Sequence, residues 1–86
     1  MKYARIEISK RQWEKREASV PIVIFARFAN QDDEVIYAPK SQIIIEKEFA
    51  GMSKTPRMII LVPMWIFAKK GVKAWNADTF IDMIEK

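Results

Sequence analysis

Residues Lys2 to Ser9 alternate in polarity, with Ala4, Ile6 and Ile8 on one side and Tyr3, Arg5 and Glu7 on the other. Period-two alternation predicts a strand with one face in a core. Ser9 and Gln12 then stand at capping-box spacing, and Lys10 to Glu17 contains no β-branched residue. That predicts a short helix or ordered polar segment whose only large apolar side chain is Trp13. Val20 to Ala29 is apolar on both faces until Arg27, the pattern of a strand running through the middle of a sheet. The polar cluster Asn30-Gln31-Asp32-Asp33-Glu34 predicts a hairpin turn, because Asn and Asp bond their own backbone. Val35-Ile36-Tyr37 continues as a third strand, ended or bent at Pro39, which has no N–H for a ladder.

Gln42 to Phe49 reads as a fourth strand, with Ile43, Ile45, Lys47 and Phe49 on one face and Gln42, Ile44, Glu46 and Glu48 on the other. Gly51 to Pro56 is a loop, and Met58 to Val62 a fifth, heavily buried strand. Pro63 suits the first turn of a helix and Gly71 the position past its end, so a helix is expected over Pro63 to Lys70. Asn76 can cap a final helix, on which Ala77, Phe80, Ile81 and Ile84 form one apolar stripe. The expected architecture is a single α+β domain over residues 1–86. Its five strands form a curved antiparallel sheet or partly closed OB-like or SH3-like barrel, with a short helix after the fifth strand and a C-terminal helix. An open antiparallel sheet with both helices on one face is the competing arrangement. Trp65 and Phe80 are expected in one core with Ile22, Ile24 and Leu61.

Composition narrows the chemistry. The chain of 86 residues contains no histidine and no cysteine. It therefore lacks the imidazole base, the thiolate nucleophile and the usual zinc ligands. Carboxylates are the remaining catalytic option. Asp32, Asp33 and Glu34 fall in a solvated turn, Glu46 and Glu48 on an exposed sheet face, and Asp78 and Asp82 where a helix dipole and Lys86 account for them. No catalytic residue, metal site or cofactor is expected, and the chain reads as a binder rather than an enzyme. Disulfides cannot form, which favours a reducing compartment. The longest apolar stretch, Met58 to Ala68, is interrupted by Pro63 and falls short of the roughly 20 residues that span a bilayer. A soluble cytoplasmic protein without a membrane partner is the expectation.

The formal charge is +4, from 15 basic and 11 acidic side chains. This permits a polyanion partner without requiring one. The basic residues fall into three groups: Lys10, Arg11, Lys15 and Arg16; Lys54 and Arg57; and Lys69, Lys70 and Lys73. A single-strand groove needs cations against phosphates and aromatic faces under bases. The candidate contacts are thus the first and third groups together with Lys40, with Trp13 or Trp75 as stacking platforms. Tyr3 and Arg5, on the outer face of the first strand, can add to such a surface. Glu14 and Glu17 interrupt the first group, as they would on an ordinary solvated face.

Tyr37-Ala38-Pro39-Lys40-Ser41-Gln42-Ile43 is followed, one strand later, by Val62-Pro63-Met64-Trp65-Ile66-Phe67-Ala68-Lys69-Lys70-Gly71-Val72. This pair resembles small phage and prophage proteins, and accessory segments of some phage replication proteins. In those, an aromatic-x-Pro-Lys-Ser-Gln turn precedes a Pro-x-Trp helix ending in Lys-Lys-Gly. The likeness covers roughly Val35 to Val72, with Tyr37 where Trp is commoner and Met64 where an acidic residue is commoner. It implies a mobile-element origin and carries no shared activity. Two function classes fit it. One is a nucleic-acid-binding module, with single-stranded DNA favoured. The other is a protein-binding inhibitor of a host defence complex, of the anti-CRISPR kind.

Overall fold

A computed structural model describes residues 1–24, 34–52, 54–69 and 80–86. The strand read from the first alternation is β1 (Lys2–Ser9), with Ala4, Ile6 and Ile8 buried and Tyr3, Arg5 and Glu7 half-buried on the opposite face. Ser9 then caps α1 (Lys10–Glu14): it keeps an extended backbone while its Oγ accepts the Gln12 N–H at 3.1 Å. Gln12 does not complete a capping box. Its side-chain amide instead donates to the Pro21 carbonyl and ties α1 to the next strand. Ser9→Ala should cost about 1 kcal/mol, the usual worth of such a cap. Chemical denaturation of the variant measures it.

β2 (Ser19–Ile24) and β3 (Glu34–Pro39) pair antiparallel as a separate two-stranded sheet, with Val20 opposite Ala38 and Ile22 opposite Ile36. Residues 25–29 of the expected second strand and the polar residues 30–33 of the expected turn lie outside the described residues. Pro39 closes β3, and the chain bends through a 3-10 turn at Lys40–Gln42, whose Lys40 N–H donates to the Ala18 carbonyl at 2.9 Å. β4 (Ile44–Ala50), β5 (Pro56–Pro63) and β6 (Phe80–Glu85) join β1 in a four-stranded antiparallel sheet of order β4-β5-β1-β6. Between β5 and β6 comes α2 (Met64–Lys69). The radius of gyration is 12.6 Å, near the roughly 12 Å expected of one compact body of this length.

The core lies between the layers. Ala4, Ile6, Ile8, Met58, Ile60 and Val62 from the large sheet meet Val20, Ile22, Ile36 and Ala38 from the hairpin, with Ile66 and Phe67 of α2 beside them. The protein is therefore α+β and strand-rich, as the sequence predicts, but several expectations change. There is no closed barrel: β4 and β6 are the two edges of an open sheet among the described residues. β2 does not run through the middle of the sheet, since its described ladder partner is β3 alone. Its apolarity on both faces has another cause, because one face enters the core and the other lines a surface groove.

The expected C-terminal helix is a strand from Phe80 onward. Its stripe is too short to hold a helix, whereas pairing along β1 satisfies backbone groups of both segments. Residues 76–79 lie outside the described residues. In β4 a bulge between Ile45 and Lys47 resets the alternation, so Ile45 opposes buried Ile60 but Phe49 opposes Arg57 on the other face.

The expected core membership is also corrected. Trp65 is 45% exposed, and its neighbours Ile66 and Phe67 are the buried residues of α2. Leu61 is buried, but it lies opposite Arg5 and Ile44, on the sheet face away from Ile22. Arg5 there bonds Glu46 Oε2 at 3.0 Å and sits 3.6 Å from Asp82, so it is engaged within the sheet rather than free for a ligand. The side chains of Ile24 and Phe80 lie outside the described residues.

Candidate nucleic-acid groove

Inward burial of Val20, Ile22, Ile36 and Ala38 forces the alternate residues of the hairpin outward. These are Pro21 and Val23 on β2, directly opposite Tyr37 and Val35 on β3. Together they form an apolar floor on which Val35 is 44% and Tyr37 51% exposed. α1 stands over this floor, held by the Gln12–Pro21 bond and by Trp13, which packs against the core. The result is an open groove of about 790 Å³, walled on the α1 side by Ser9, Arg11, Gln12, Glu14 and Lys15.

Its electrostatics are basic. Arg11 and Lys15 line the wall, and the Arg16 guanidinium carbon lies 4.5 Å from the centre of the Tyr37 ring. Three cations thus face one carboxylate, Glu14, along the groove. Lys10 and Arg11 occupy the first turn of α1, where no acidic residue stands and where the backbone dipole disfavours cations. These charges do not serve helix stability. The Arg16–Tyr37 stack is both a planar cation and an aromatic surface, the two kinds of surface on which unpaired bases stack.

The sequence-derived contacts divide accordingly. Arg11, Lys15 and Arg16 converge on the groove. Lys10 adjoins it but turns to the opposite side of α1, 3.2 Å from Glu48. Trp13 is not a free platform: it is half-buried against the core, and the Lys40 ammonium covers its ring at 4.8 Å. Lys40, a candidate phosphate contact in the sequence, is half-buried with its ammonium over Trp13 and does not line the groove.

Lys69 ends α2, and α2 follows the C-terminal end of β5 whereas α1 follows that of β1. The two strands are antiparallel from Tyr3 opposite Pro63 to Ser9 opposite Arg57, so the helices sit at opposite ends of the pair, about 20 Å apart at a strand's rise per residue. Lys69 therefore belongs to a different part of the surface. Lys70, Lys73 and Trp75 lie outside the described residues.

Sequence reading missed the floor itself. Val35 and Tyr37 are out of phase with Ile36 and Ala38, and that alternation marks them as outward-facing; what it could not supply is the helix above them. Among the described residues no three acidic side chains gather at metal-binding distance. Comparison with protein-family models, with curated proteins and with solved structures finds no match.

Proposed function

We propose that this is a non-enzymatic, phage- or prophage-type binding protein that takes single-stranded nucleic acid, with single-stranded DNA favoured, into the groove between α1 and the β2–β3 hairpin. The observation that carries the reading is the apolar, tyrosine-bearing floor under a basic rim, with Arg16 stacked on Tyr37. Bases stack on Tyr37 or extend its stack onto the Arg16 guanidinium, while Arg11 and Lys15 face the phosphates. Such recognition is tolerant of sequence, because every base has a π-face.

The protein-inhibitor reading draws on β4, an edge of the large sheet with Ile44 and Ile45 exposed. That edge carries a bulge and the charged run Glu46-Lys47-Glu48, both of which discourage a partner strand from adding to it. The groove is the better supported site.

Fluorescence anisotropy of labelled oligothymidylate against salt tests the proposal. The charges of the three groove cations, Arg11, Lys15 and the stacked Arg16, give a log–log slope of about −2, at about −0.7 per neutralised phosphate for single strands. Arg11→Glu with Lys15→Glu should weaken binding of all sequences alike and flatten the slope to about −0.7. Lys69→Glu, on the helix at the opposite end of the β1–β5 pair, should leave binding within about twofold of the parent at about 0.1 M salt, where the Debye length is about 10 Å. No salt-sensitive binding at low ionic strength, or a larger loss from Lys69→Glu than from the α1 pair, would refute it.

A further inference from the structure

Resting on the groove reading above, we infer that a bound strand continues over α1 onto a second, phosphate-reading shelf governed by Lys54. The turn between β4 and β5 is tight: the Gly51 N–H donates to the Thr55 carbonyl at 2.8 Å, and the Lys54 N–H to the Gly51 carbonyl at 2.9 Å. Within it Lys54 has φ of 60°, the only positive φ at a non-glycine position among the described residues. This left-handed conformation suits glycine or asparagine, because a Cβ crowds the following carbonyl. A lysine here sacrifices backbone stability and roots a cationic side chain at this turn.

The turn borders a hollow of about 310 Å³ whose lining includes Lys10, Glu48, Phe49, Lys54 and Arg57. Two of its cations are already matched. Lys10 lies 3.2 Å from Glu48 Oε1, and the Arg57 Nε donates to Glu7 Oε2 at 2.6 Å. Among the described residues neither Lys54 nor Lys47, whose ammonium lies over Phe49, has an ion-pair partner, and of the two it is Lys54 that lines the hollow itself. The shelf offers little for a base, since Phe49 is half-buried and the Lys47 ammonium over its ring, unlike a guanidinium, has no plane on which a base can stack.

The two hollows meet at α1. Lys10 faces the shelf and Arg11, its neighbour in sequence, faces the groove. A helix with its side chains is about 10–12 Å across, a width that a few nucleotides cross. A single strand lying in the groove therefore meets Lys54 only when it is long enough to pass over α1.

The test compares oligothymidylates of about four and about twelve nucleotides, within the range of single-strand site sizes, on the parent protein, Lys54→Gly, Lys54→Asn and Tyr37→Ala. Both Lys54 variants accept the left-handed backbone, so their melting temperatures should not fall. For the longer oligonucleotide their affinity should drop about threefold or more at low ionic strength, with the salt slope shallower by about 0.7. Their affinity for the shorter one should match the parent. Tyr37→Ala should lose affinity for both lengths. If folded Lys54→Gly and Lys54→Asn bind the longer oligonucleotide with parental affinity and slope while Tyr37→Ala does not, the shelf is refuted and the groove stands. If the parent binds neither oligonucleotide, the groove reading falls and takes the shelf with it.

Discussion

Phe67→Ala should unfold this protein or nearly so, whereas Trp65→Ala, two residues away on the same short helix, should hardly disturb it. Phe67 is 1% exposed and packed among the residues that join the hairpin to the large sheet. Truncating a buried phenylalanine removes its transfer free energy and leaves a cavity, together about 3–5 kcal/mol. A small domain holds on the order of 5–10 kcal/mol in all. The melting temperature should fall by at least about 12 °C, at about 4 °C or more per kcal/mol for a chain of this size. Trp65, nearly half exposed, should cost about 1 kcal/mol or less. Thermal unfolding of both variants decides between the two tryptophan placements. An equal or greater loss for Trp65→Ala would mean that α2 docks by its other face.

Tyr37→Ala should separate binding from stability. The ring stands half exposed on the outer side of β3, clear of the buried cluster, so its removal should cost about 1 kcal/mol or less in folding. Loss of a base-stacking aromatic costs about 1–3 kcal/mol of binding. At 1.4 kcal/mol per tenfold this is about 5- to 150-fold in affinity for single strands. Tyr37→Phe keeps the stacking surface and should bind within about threefold of the parent, since the hydroxyl takes no part in the stack. Arg16→Ala should reproduce much of the loss, by removing both the guanidinium plane and a charge. Titration of labelled oligothymidylate on each folded variant checks this. Parental affinity for Tyr37→Ala would show that the floor is not where bases lie.

The elements most legible in the sequence are those whose pattern admits one phase. β1 announces its buried face because Ala4, Ile6 and Ile8 alternate with charged or polar neighbours. Ser9 announces α1 because a serine side chain can satisfy an orphan N–H at that spacing. α2 is different: Met64 to Ala68 contains no polar residue to mark an outer face, so nothing local says that Phe67 rather than Trp65 turns inward. The C-terminal stripe has helical spacing, and the factor that overrides it is distant, an open edge on β1.

The candidate site divides in the same way. Of the local basic cluster, Arg11, Lys15 and Arg16 stay together on the groove side after folding, while Lys10 turns to Glu48. Whether Lys69 could join it depended on the antiparallel pairing of β1 with β5, which sets the two helices at opposite ends. The nearness of Lys54 and Arg57 to Lys10 is the same fact seen from the other end of that pairing. The apolar outer face of β2 is visible in the sequence, but such a face fits a central strand as well as the floor of a groove, and only the position of α1 selects the second.

A residue-resolved titration probes the central claim most directly. Backbone amide shifts of the isotopically labelled protein, followed as oligothymidylate is added at low ionic strength, report which surface the strand touches. The groove account predicts the largest changes at Arg11, Gln12, Lys15 and Arg16, and along Val23, Val35 and Tyr37. Trp65 and Lys69 of α2, and Met83 of β6, should stay unmoved. Changes confined to α2 and β6, or an unchanged spectrum in excess oligonucleotide, would contradict it.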